Sequence, residues 1–119
     1  MTENEKDLLL KDLCARLPYG VEVEYDNCTC EVLSIDRYNE ELTIWKSPGY
    51  HPDVKLEDVK PYLFPISSMT EEQKEDMIKC SCGIGSDKNL FDWWNKNHFD
   101  YRGLIPMGLA KDATGLKIY

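Results

Sequence analysis

Apolar residues at Leu10, Leu13, Cys14 and Leu17 follow the i, i+3, i+4, i+7 spacing of a helical stripe, which predicts an amphipathic helix over residues 5–17. Lys11, Asp12 and Arg16 are expected on its outer side, and Pro18-Tyr19-Gly20 stops it. From Val21 the period changes to two. Val21, Val23 and Tyr25 alternate with Glu22 and Glu24, and Asp26-Asn27 offers a hairpin turn. The next strand, Cys28 to Asp36, has the inward set Cys30, Val32 and Ile35, whose 2-then-3 spacing requires a bulge. After a turn at Arg37-Tyr38-Asn39-Glu40, Leu42 and Ile44 face inward, with Thr43 and Trp45 opposite. Ser47-Pro48-Gly49 breaks the run, and a short fourth strand, Asp53 to Leu56, places Val54 and Leu56 inside.

Short, bent strands in so little chain are too few for a large sandwich and favour a strongly twisted small barrel over residues 20–63. Its inside should be lined by Val23, Val32, Ile44 and Val54. Beyond Pro61, Tyr62, Leu63 and Phe64 should pin the chain to the barrel. Residues 68–110 read as a helical segment. Thr70 with Gln73 forms a capping pair for a helix to about Lys79. Asp87 should cap another helix to about Asn97, and Asp100 a short one from Tyr101 to Ile105. Residues 111–119 read as a loosely held tail. The expected architecture is therefore a single α+β domain over 1–119, with an N-terminal helix and C-terminal helices packed on a barrel of four or five strands.

The succession Val-x-Val, Cys-x-Val-x-x-Ile, Leu-Thr-Ile and Val54-Lys-Leu-Glu-Asp-Val-Lys-Pro61 resembles a Tudor-type, Src-homology-3-like barrel. The resemblance covers about residues 20–63 and implies that the closing segment ends in a one-turn helix near Glu57-Asp58-Val59. It is shared by many activities and names none. Tudor-type barrels hold cations against aromatic faces beside an acidic neighbour. Tyr25, Trp45 and Tyr50, with Asp26 and Asp53, are the corresponding candidates for ligand binding, against the plainer reading that these rings cover the core.

Composition narrows the function classes. With 42% hydrophobic and 30% charged residues, the 119-residue chain suits one folded core and neither a disordered nor a collagen-like state. No apolar run reaches the length of a membrane span and no leader pattern is present, so a cytoplasmic location without membrane contact is expected. The net charge of −8 is uneven: residues 1–66 carry 14 acidic and 7 basic side chains, residues 67–119 carry 8 and 7. Without a Lys/Arg cluster, direct nucleic-acid binding is disfavoured.

The five cysteines include two C-x-C pairs, Cys28/Cys30 and Cys80/Cys82. They allow a tetrahedral zinc site as an alternative, with His51 and His98 as substitute ligands. The one-residue spacing is tighter than usual for a knuckle, and reduced, buried thiols without metal are the main reading. No cofactor is expected. Catalytic fingerprints are absent, and Cys14 lies on the apolar stripe where a buried, inert thiol is the simpler expectation than a nucleophile.

The broad aromatic set Leu90, Phe91, Trp93 and Trp94 exceeds one side of a short helix, so a large ring should remain accessible. Together with Tyr101 and Arg102, Phe91, Trp93 and Trp94 have the residue types of interaction hot spots and form the candidate partner-binding group. The stretches Lys11–Gly20, Val59–Lys74 and Asn97–Ala110 resemble small proteins encoded in gut Bacteroides-type genomes, often near phage or mobile-element genes. That likeness implies a bacterial or phage origin and carries no site residue. The expected function is a non-enzymatic adaptor or regulator that binds a protein partner. The alternative is a nucleic-acid-associated factor, either a direct binder or an acidic mimic that inhibits a nucleic-acid enzyme. Oligomeric state is not legible.

Overall fold

The computed structural model describes residues 1–81 and 86–119. The first helix, α1 (Glu3–Arg16), starts two residues earlier than the stripe predicts, because Thr2 and Glu5 form a reciprocal capping box. It tightens into one 3₁₀ turn, Leu17–Tyr19, and ends at Gly20, whose φ of +88° suits a residue without Cβ. Its buried stripe is Leu9, Asp12, Leu13 and Arg16, rotated by about one residue from the apolar one.

Strands β1 (Glu22–Tyr25), β2 (Cys28–Asp36), β3 (Glu41–Lys46) and β4 (Gly49–Lys55) form an antiparallel meander. Asp26 and Asn27 both take positive φ, as a two-residue hairpin matching the strand twist requires. The expected bulge lies between Val32 and Ser34. A 3₁₀ turn over Leu56–Asp58 then leads into β5 (Lys60–Leu63), which returns to pair with β1.

The strand order is β4-β3-β2-β1-β5-β6, an open mixed sheet rather than the expected closed barrel. Closure fails because the far edge of β5 is already occupied. The short strand β6 (Lys111–Asp112) pairs parallel to Tyr62 and Leu63, so β4 has no free β5 edge to join. Just beyond, Phe64 donates its N–H to His98 O (2.8 Å) and accepts from Asp100 N–H (2.9 Å). Residues 111–119 are correspondingly held, not loose: Ala113 is buried and donates its N–H to Leu63 O at 2.8 Å.

Val23, Val32, Ile44 and Val54 do line one core, closed from above by Leu9 and Leu13 of α1 and by Leu104, Leu109 and Ala110. Two further helices follow, α2 (Glu71–Cys80) and α3 (Ser86–Lys96). The Thr70–Gln73 capping box starts α2 as expected. Helix α3 begins at Ser86, which puts Asp87 inside its first turn. A second, smaller core of Met69, Trp93 and Phe99, with Phe64, Met77, Cys80 and Trp94 around it, joins these helices to the sheet. Residues 101–105 form turns rather than a helix, although Asp100 still receives the backbone N–H groups of Leu104 (2.8 Å) and Ile105 (2.9 Å). Among the described residues, no helix is long and apolar enough to cross a membrane.

Candidate functional site

The adjacent tryptophans of α3 point to different places. Trp93 is buried in the second core, stacked on Phe99 at 5.5 Å, with its Nε1–H donating to Asp76 Oδ2 of α2 at 2.8 Å. It is thereby withdrawn from the surface group to which the sequence assigned it. Trp94 instead stacks on Tyr101 at 5.2 Å, and Phe91 meets both rings, at 5.7 Å from Trp94 and 5.4 Å from Tyr101. Phe91 is 46% exposed while Trp94 and Tyr101 are half-buried. Of the expected partner-binding residues, Phe91, Trp94, Tyr101 and Arg102 come together and Trp93 does not.

What fixes these rings is a set of charges that the sequence reading placed on the solvent side of α1. Asp12 and Arg16 are fully buried, and Arg16 Nε donates to Asp12 Oδ2 at 2.8 Å. The second Asp12 oxygen accepts from Arg102 Nη1 at 2.9 Å. Arg16 Nη2 donates to Phe99 O at 2.6 Å, a carbonyl that also accepts from the Tyr101 N–H at 3.1 Å. Arg102 Nη1 donates to the Tyr101 hydroxyl (2.6 Å), which donates to Asn95 Oδ1 (2.8 Å). Both guanidinium groups lie near the Tyr101 ring, Arg16 at 5.2 Å and Arg102 at 4.6 Å from its centroid. A buried carboxylate is tolerated where each oxygen meets a charged donor, and here both do. The arrangement holds Tyr101 and Trp94 in place and leaves the Phe91 edge and part of Arg102 outside. It offers a preorganised surface.

His98 and Tyr119 form a second fixed pair, with parallel rings 3.4 Å apart between centroids. The Tyr119 hydroxyl accepts from Glu22 N–H and donates to Tyr62 O, each at 3.0 Å. Burial depresses the His98 imidazole to about 4, helped by the Arg16 charge, and pushes the Tyr119 phenol up to about 12. His98 is thus a neutral, packed ring at ordinary pH, and its backbone takes φ +63°.

The candidate ligand-binding set divides. Trp45 and Tyr50 are direct cross-strand partners, meeting edge-on at 5.0 Å and exposed by 39% and 70%. Tyr25 stands opposite Cys28, on the face that carries Val23 and Cys30, while Trp45 stands opposite Glu31 on the other. The three rings therefore share no cage. Lys46 already lies 5.9 Å above Tyr25 and pairs with Asp26 at 3.1 Å.

The cysteine pairs also part company. Cys28 and Cys30 pack on the main core, whereas Cys80 borders the second one; Cys82 lies outside the described residues. Among the described residues, no three His, Cys, Asp or Glu side chains converge as metal ligands. Burial raises the Cys14 and Cys30 thiols, which opposes thiolate formation at either.

No protein-family model, curated protein or solved structure matches the chain.

Proposed function

We propose that the protein is a non-enzymatic adaptor or regulator that binds a protein partner through the surface formed by Phe91, Trp94, Tyr101 and Arg102. The observation that carries this reading is the exposure of Phe91 on a cluster whose other members are locked by stacking and by the Asp12 charge network. A large ring presented on an already ordered base loses little side-chain entropy on docking, and aromatic and arginine anchors dominate interfaces. Source in a phage or mobile element, as the longer motifs suggest, and a cytoplasmic location belong to the same proposal. The one-turn helix before a strand that rejoins β1 supports the likeness to a small Src-homology-3-like barrel, here left open.

Affinity purification from the native cell tests the interface. Phe91→Ala and Arg102→Ala, each shown by circular dichroism to be folded at the assay temperature, should lose a partner that the parent chain retains. Retention by both variants rejects this surface.

The alternative, an acidic mimic of nucleic acid, is favoured by one feature: Glu72, Glu75 and Asp76 border a groove of about 460 Å³ along α2. It requires competition with nucleic acid for a single enzyme.

A further inference from the structure

The outer face of the sheet carries a row of four side chains set by register. Tyr50 of β4 faces Trp45 of β3, Trp45 faces Glu31 of β2, and Glu31 faces Glu22 of β1. Direct cross-strand partners share a face, and strands lie about 4.8 Å apart, so the row spans about 14 Å. The first core lies on the opposite face, with Cys30, Val32 and Ile44. Two half-exposed aromatic rings thus run straight into two carboxylates.

Those carboxylates are in an unfavourable arrangement. Like charges directly opposite destabilise a pair of strands. Other glutamates of this face have cations: Glu24 pairs with Lys111 at 3.3 Å and Glu41 with Lys55 at 2.8 Å. Glu22 and Glu31 have none among the described residues. The Glu22 carboxyl is pushed upward, first by burial and then by the charge of Glu31.

We propose that this row is a docking strip for an arginine-bearing segment of a partner protein, a guanidinium stacked on Trp45 and received by its neighbour Glu31, with Tyr50 and Glu22 contacting the segment on either side. Charge complementarity selects the occupant. A nucleic acid would add phosphates to the paired carboxylates, and an apolar helix would strip water from them without compensation. A guanidinium is planar and weakly hydrated, stacks on aromatic faces and presents a fork of donors to carboxylates, which fits both halves of the row better than a lysine ammonium. The acidic first half of the chain, with 14 acidic against 7 basic side chains in residues 1–66, steers such a segment toward this face. This surface is separate from the Phe91 cluster, so either can fail without the other.

The test is an amide and indole NMR titration of the full chain with the blocked peptide Gly-Arg-Gly-Arg-Gly, beside its lysine and citrulline counterparts. Citrulline keeps the shape of arginine and removes its charge. The arginine peptide should shift the Trp45 indole N–H and the amides of Tyr50, Glu31 and Glu22 first. Glu31→Gln should weaken it by about tenfold, the effect of losing one partner of a charge pair, while Glu57→Gln leaves it unchanged. Thermal unfolding supplies an independent readout: Glu31→Gln relieves the repulsion and should hold or raise the melting temperature while binding falls. The proposal is overturned if no shift develops by about 5 mM peptide, a level that weak single-site contacts reach. Equal binding of the citrulline peptide, unchanged affinity in Glu31→Gln, or shifts as large at Glu71, Glu72 and Glu75 would overturn it as well.

Discussion

Asp12 and Arg102 are 90 positions apart in the chain and 2.9 Å apart in space. Their contact, with Arg16 on the other carboxylate oxygen, fastens α1 to the turns that follow α3. Buried charges of this kind are expensive to assemble and more expensive to break, because the remaining partner is left without a counter-charge.

Asp12→Ala leaves Arg16 buried and unpaired, so it should destabilise the fold by about 3–5 kcal/mol, read by urea unfolding. Arg102→Ala removes only the partly exposed member and should cost clearly less. Equal losses would mean that Arg102 contributes as much as the buried pair.

Trp93→Ala should cost about 3–5 kcal/mol, since it empties the second core. Phe91→Ala, only two positions away but 46% exposed, should cost less than about 1 kcal/mol. The two measurements distinguish the ring that holds the fold from the ring offered outward.

Acid sensitivity should follow His98. Its folded pKa of about 4 lies below the ordinary 6.5, so the unfolded chain binds the proton more readily between those values. Stability is therefore full above pH 6.5 and falls by up to about 3 kcal/mol on acidification toward pH 4. Asp36 and Asp112, held below the carboxylate range by hydrogen bonds from Asn39 and Thr114, add losses of the same sign at still lower pH. His98→Asn, which accommodates the positive φ, should flatten the unfolding slope between pH 6.5 and 4 only.

Tyr119→Phe keeps the stack on His98 but deletes the hydroxyl that joins Glu22 and Tyr62. A loss of about 1–2 kcal/mol is expected, with faster hydrogen exchange at the Glu22 amide.

Much of the sheet was legible because alternation over Val21 to Tyr25, the Asp-Asn turn and the Cys30-Val32-Ile35 spacing are local signals, and the hairpin and bulge appear where these put them. Closure was not, because it depends on which segment takes the far side of β5, and Lys111–Asp112 is too short to register as a strand. The phase of α1 was misread for a definite reason. Leu8-Leu9-Leu10 permits two stripes, and preferring the wholly apolar one hid Leu9-Asp12-Leu13-Arg16, whose charges satisfy each other only once Arg102 and Phe99 arrive from the far end of the chain. The aromatic group was found by composition, yet composition could not tell Trp93 from Trp94. That distinction lies in the helical turn of about 100° between neighbours. The Glu22–Glu31–Trp45–Tyr50 row needed the register of three strand pairs.

An unclosed sheet has borders that other chains can copy, and one of the two here is β4. Pro52 lacks the amide that an incoming strand would need, and Asp53 at φ +59° turns the backbone out of line beside it. The rim thus carries a built-in fault that works against strand-to-strand pairing along β4. Pro52→Val should mend that fault and make concentrated solutions self-associate, visible as a rising light-scattering mass, before the melting temperature changes appreciably.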